Sequence, residues 1–167
     1  MLTAGVCTAN DSAVVTVSGT IPVSCSVKFD KTSLEITDFN SLVIYESHLP
    51  SVSAPFSVSC NTLPKYTIEA DNGYLKHESN EEEDLGSFTN KIYYSVDMSV
   101  NGEAIFTDKV FSETTRTITD ESSNNIPYNS DSGLLTVETI STGGKSLIAG
   151  NYSDVLTITI SGHDSNE

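Results

Sequence analysis

Three cysteines, three histidines and a run of four acidic residues are the side chains here with the most chemical potential, and their spacing limits what they can do. Glu81, Glu82, Glu83 and Asp84 are consecutive, whereas a calcium loop alternates its oxygen ligands around a sharp glycine turn. Successive side chains in such a run diverge, so it reads as a solvated loop. His48, His77 and His163 share no HxxxH or HExxH spacing and have no cysteine partner nearby, which predicts surface histidines and no zinc. No serine stands in a Gly-x-Ser-x-Gly turn. Gly143-Gly144-Lys145-Ser146 is the tail of a phosphate-binding loop without its start, because Thr139 stands where the first glycine is needed and no helix is expected to follow. Asn10 and Asn151 open glycosylation sequons that arise easily in a Ser-rich chain. No catalytic, cofactor or metal constellation emerges. The chain is expected to be no enzyme and to need no cofactor.

Cysteine chemistry turns on the N-terminus. Residues 1–9 are uncharged, small and mildly apolar, like the last part of a secretory signal, and cleavage after Ala9 satisfies the small-residue rule. That cut removes Cys7 and leaves Cys25 and Cys60, one pair, as expected in an oxidising compartment. A lipoprotein that keeps Cys7 is opposed by Val6, and a cloning artefact is the plain alternative.

The elements that must position these residues are strands. Thr, Ser, Val, Ile and Tyr recur with period 2 between turn residues, helix signals are nearly absent, and the reading is all-β. Expected strands are Leu42–Tyr45, Pro55–Cys60, Lys65–Ala70, Lys91–Val100, Ala104–Phe111, Arg116–Ile118, Leu134–Ile140 and Val155–Ile160. Asn101-Gly102 tolerates positive φ at both positions and predicts an antiparallel hairpin. Asp71–Asp84 and Asp120–Asn125 read as polar loops. Many short strands with unequal connections favour a sandwich over a barrel. In a chain of 167 residues with no shift in composition, one domain is expected.

The net charge of -15 argues against nucleic acid or an anionic membrane surface as partner. No apolar run approaches the roughly 20 residues of a spanning helix, so no membrane insertion is expected.

The N-terminal alternation is the most informative pattern. Ala13, Val15, Val17, Gly19 and Ile21 share one face of an extended strand, and Val23, Cys25, Val27 and Phe29 continue it past Pro22. At about 3.3 Å per residue one strand over all of these is too long, so two are expected. The first is either an edge strand of this domain or a segment offered to another subunit.

With Gly19, Cys25, the Ser57–Cys60 strand and the Ile68–Gly73 turn stands a Gly-x-Tyr-x-Asp segment of Gly150, Tyr152 and Asp154, followed by Leu156, Ile158 and Ile160. As a set these resemble a pilin subunit of the chaperone–usher pathway, in its archaic branch with the spore coat protein U-like domain. The resemblance implies an incomplete immunoglobulin-like antiparallel β-sandwich that lacks its final strand. A periplasmic chaperone then fills the resulting groove, and at an outer-membrane usher the N-terminal strand of the next pilin replaces it. It implies a donor strand carrying Ala13, Val15, Val17, Gly19 and Ile21, and a groove-edge strand carrying Tyr152, Leu156, Ile158 and Ile160. A disulfide between Cys25 and Cys60, joining the first two strands, is compatible with their spacing.

The implied organisation is a signal remnant at 1–9, a donor extension at 10–21, a sandwich at 22–161 and a tail at 162–167. The expected location is the cell surface, reached through the periplasm as a pilus that supports adhesion or biofilm formation. Family subunits end at the last strand, whereas this chain continues through Ser161–Glu167. The rival reading is a monomeric or fibre-tip adhesin that stacks a carbohydrate on exposed Tyr66, Tyr74, Tyr93 or Tyr94.

Overall fold

Alternating side chains force a two-layer solution, since each strand with one apolar face must lay it against another. The computed structural model describes residues 16, 18–36, 39, 43–44, 49–79, 85–121 and 128–162. Its strands in chain order are β1 (Cys25–Phe29), β2 (Ser51–Cys60), β3 (Pro64–Ala70), β4 (Leu75–His77), β5 (Phe88–Thr89), β6 (Lys91–Ile92), β7 (Tyr94–Val100), β8 (Glu103–Val110), β9 (Thr117–Glu121), β10 (Tyr128–Thr139), β11 (Ser146–Leu147), β12 (Tyr152–Ser153) and β13 (Leu156–Gly162). Among the described residues there is no helix.

One layer has the order β1-β2-β10-β7-β8 and the other β13-β3-β9, all antiparallel. A small sheet, β12-β4-β6, and a short parallel pair, β11-β5, complete the set. The layers enclose Phe56 and Val58 of β2, Tyr66 and Ile68 of β3, and Val96 and Met98 of β7.

β2 shows how the sequence builds a layer. Its Ser51, Ser53, Ser57 and Ser59 are outward or half-buried, while Ala54, Phe56, Val58 and Cys60 are buried. Cys25 lies opposite Cys60 in the ladder, and the two are joined by a disulfide. β1 stops opposite Phe56, where β2 reaches Pro55, which brings no N–H to the ladder. The β7–β8 hairpin turns at Asn101 (φ 53°) and Gly102 (φ 79°), as their sequence requires.

Several expectations are corrected. Of the expected strand Leu42–Tyr45 only Val43 and Ile44 are described, and neither is in a strand. The expected run Lys91–Val100 breaks at Tyr93 into β6 and β7. Asp71–Asp84 is not wholly loop, because Leu75–His77 forms β4 between β6 and β12. His77 is buried, where a surface position was expected; His48 and His163 lie outside the described residues, as do Glu81–Asp84 and Cys7.

Candidate functional site

β1 and β13 are the edges of the two layers on one side of the sandwich. Each has a hydrogen-bonded neighbour on one flank only, β2 and β3 respectively, and among the described residues no strand covers the other flank. They meet at one end: the side chain of Val23 and Sγ of Cys25 lie against Gly162, where β13 finishes. Beside them lies a groove of about 990 Å³ rimmed by Val27 and Phe29 on one side and Leu156 and Ile158 on the other, with Leu34, Ile36 and Phe39 also lining it. Leu135, Val137 and Tyr94 floor it.

The burial pattern differs between the central strands and these two edges. Inward residues of the central strands β3 and β7, such as Ile68 and Val96, are fully enclosed, but those of β1 and β13 are only half-buried in strict alternation with exposed Ser, Lys and Thr. Leu156, Ile158 and Ile160 point inward, and Thr157 and Thr159 outward. Apolar side chains therefore flank a part of the core that no described strand covers, beside backbone groups with no partner strand on that flank among the described residues.

One wall of the groove is held by Asp154. Its carboxylate accepts from Asn72 N (3.0 Å), Asn72 Nδ2 (3.1 Å), Gly73 N (3.0 Å), the Tyr94 hydroxyl (2.8 Å) and Val155 N (2.9 Å). Burial first, and then the bond to this carboxylate, push the Tyr94 phenol far above its ordinary range, so it stays a donor. Gly73 must be glycine: its φ is 79°, and a Cβ there meets the carbonyl of Ser112. Two pieces singled out in the sequence, the Ile68–Gly73 turn and the Gly-x-Tyr-x-Asp segment, thus meet on one carboxylate.

The other two motif residues anchor the same wall. Tyr152 donates its hydroxyl to Ile148 O (2.8 Å), with Thr89 O at 3.2 Å, and burial raises its phenol as well. The His77 ring packs edge-on against it, with centroids 4.9 Å apart. Nδ1 of His77 accepts from Ser79 N (3.1 Å), so Nε2 carries the proton and donates to Ala149 O (3.2 Å). Gly150 packs directly on that ring. Asn151 donates to the exposed carboxylate of Glu78, and these bonds hold Glu78 below the usual carboxylate range.

The proposed donor residues are only partly in view. Ala13, Val15 and Val17 lie outside the described residues; Gly19 and Ile21 are exposed and in no strand, Ile21 at 86%. Of the four tyrosines expected to be exposed on an adhesin, three are not at the surface. Tyr66 and Tyr94 are fully buried, Tyr74 is nearly so, and Tyr93 alone of the four is exposed. Among the described residues no group of three or more His, Cys, Asp or Glu could hold a metal ion.

The fold and its open flank define an immunoglobulin-like antiparallel sandwich. Of the solved structures it is similar to, one is a chain of the chaperone–tip adhesin complex vital for synergistic activation of CFA/I fimbriae biogenesis, at 14% identity and a TM-score of 0.50, covering 84% of this chain and 43% of that one. Another is a chain of the chaperone–tip adhesion subunit pre-assembly complex from the archaic chaperone-usher Csu pili of Acinetobacter baumannii. It has 14% identity, covers 84% and 40%, and with a TM-score of 0.39 adds nothing to the fold assignment. This chain spans less than half the length of either. No protein-family model and no curated protein matches the sequence.

Proposed function

We propose that this chain is a structural subunit of a chaperone–usher pilus of the archaic, spore coat U-like kind. Its groove between β1 and β13 receives an extended strand, first from a periplasmic chaperone and then, at the outer-membrane usher, from the next subunit. Residues 10–21 are the strand it offers in turn, and the assembled fibre lies at the cell surface, where it supports adhesion or biofilm formation. The observation that carries this reading is the pair of half-buried apolar rims, Val27 and Phe29 facing Leu156 and Ile158, across a part of the core that no described strand covers.

Completing the burial of these four side chains contributes roughly 1 kcal/mol each, since full burial of such residues is worth about 1.5–3 kcal/mol and half is already made. β13 is about 23 Å long, and residues 13–21 extended reach about 30 Å, so the donor spans the groove. Ala13, Val15, Val17 and Ile21 supply alternating side chains, and Gly19 sits where the strand backbone must approach closely.

The test is strand exchange followed by native mass spectrometry. Gly19→Leu adds a side chain in open surroundings within its own subunit, since nothing lies within 4 Å of a Cβ there, so its fold should be unchanged. Inserted in a neighbour's packed groove, the same side chain has no room. The expected result is a subunit that accepts a donor strand normally but is not itself incorporated. Unimpaired donation by Gly19→Leu refutes the assignment of residues 13–21.

A further inference from the structure

The extension of a subunit that both offers a strand and has an open groove can close on itself. Residues 13–21 immediately precede β1, so a tight turn at residues 22–24 would fold them back alongside β1 and into the groove of their own chain. None of the described residues before Cys25 lines that groove, and Gly19, Ile21 and Val23 are exposed. A specific set of contacts holds the turn open. Asn61 N donates to Ser24 O (3.1 Å), Ser24 N donates to Asn61 Oδ1 (2.8 Å), and Asn61 Nδ2 donates to Pro22 O (2.8 Å). These bonds continue the β1–β2 ladder one step past the Cys25–Cys60 disulfide, and the Val23 side chain rests on Gly162. Reversing the chain at 22–24 requires giving up all three bonds.

We infer that Asn61 is a positioning residue that keeps the N-terminal extension out of its own groove and so commits the groove to a second copy of this chain. The inference rests on the strand-accepting role of the groove. β1 begins where β13 ends, so the two rims run in opposite directions and a strand entering either way is antiparallel to one and parallel to the other. With the clip in place, the self-closed form is opposed by the bonds that must break.

The experiment uses the full-length chain at concentrations where it is monomeric and, as probe, a fluorescent peptide of residues 10–21. Wild type is expected to bind the peptide. Asn61→Ala is expected to bind at least tenfold more weakly, because self-closed molecules are not competent and apparent affinity falls with the competent fraction. Adding Val15→Asp and Val17→Asp to Asn61→Ala disables the extension, and this triple variant should regain wild-type binding, a recovery that damage to the groove would not allow. Equal binding by wild type and Asn61→Ala overturns the inference, and so does a triple variant that stays weak. If Val15→Asp with Val17→Asp binds the peptide and wild type does not, the native chain is already self-closed and the clip is refuted alone. If no variant binds, the groove takes no strand, and both readings fall.

Discussion

Removing the carboxylate of Asp154 tests the wall of the groove. Asp154→Ala leaves the hydroxyl of fully buried Tyr94 without the acceptor it uses, at about 1–3 kcal/mol for an orphaned buried polar group. The part-buried N–H groups of Asn72 and Gly73 lose a charged acceptor as well, at about 1 kcal/mol each when water can partly replace it. The expected loss is about 3–5 kcal/mol, which in a domain of this size lowers Tm by roughly 10 °C. Tyr94→Phe alone should cost only about 1 kcal/mol, because Asp154 keeps its other donors. In the Asp154→Ala background the same change should be neutral or stabilising, since it deletes the orphaned hydroxyl. Urea unfolding of the four proteins, with the disulfide intact, gives the coupling energy directly, and about 1–2 kcal/mol is expected. Additivity within about 0.5 kcal/mol would mean that the 2.8 Å contact carries no energy and that the wall is held by something else.

Two further substitutions probe the strand register and the glycine of the motif. Ile158→Asp should abolish soluble expression or cost several kcal/mol by placing a carboxylate on the inward face of β13, whereas Thr157→Asp on the outward face should change stability by less than about 0.5 kcal/mol; equal tolerance in denaturant titrations refutes the register. Gly150→Ala places a methyl on the buried His77 ring and should destabilise by about 1–3 kcal/mol, and His77→Ala should relieve part of that loss in the double variant; a thermal scan in which the two effects simply add refutes the packing account.

What could be read from the sequence follows from the range of each signal. Period-2 alternation is local, and it located most of the long strands as well as the inward set of β13. β4 was missed because Lys76, His77 and Glu78 look like loop; its strand character comes from β6 and β12, which are distant in sequence. The tyrosines were legible in part. Tyr93 and Tyr94 are adjacent, so in extended chain only one of them can face out, and that parity argues against treating both as exposed. Asp154 stood out in its motif, yet its role depends on Asn72 and Gly73, more than eighty positions away, and no local pattern reports that pairing. Asn61 carried no signal at all, since it is one asparagine after a strand until Pro22 and Ser24 are seen beside it.

The two sides of the sandwich explain why a strand would enter on one flank only. On the far side, β8 runs into β9 through a short connection whose Phe111 is fully buried and whose Ser112 and Thr115 close a turn, so the chain itself stitches the two layers together. The outer edge of β8 is also spoiled for pairing. It carries a bulge opposite Asp97, with Asp108 at φ 47° and its N–H bound to the Asp97 carboxylate at 2.8 Å, and exposed Glu103 and Lys109 lie along it. Bulges and charges of this kind are how sheet edges resist unwanted partners. Neither the β1 nor the β13 edge carries a bulge, and β13 carries no charge, Lys28 of β1 being the one charged residue on these two strands. β1 is short because of Pro55, β13 is regular over its whole length, and the two layers touch there where Val23 and Cys25 meet Gly162. A regular, uncharged β13 edge beside a part of the core that no described strand covers, in a chain that protects its β8 edge twice over, is the physical argument for a strand-accepting flank. It requires no residue with catalytic chemistry.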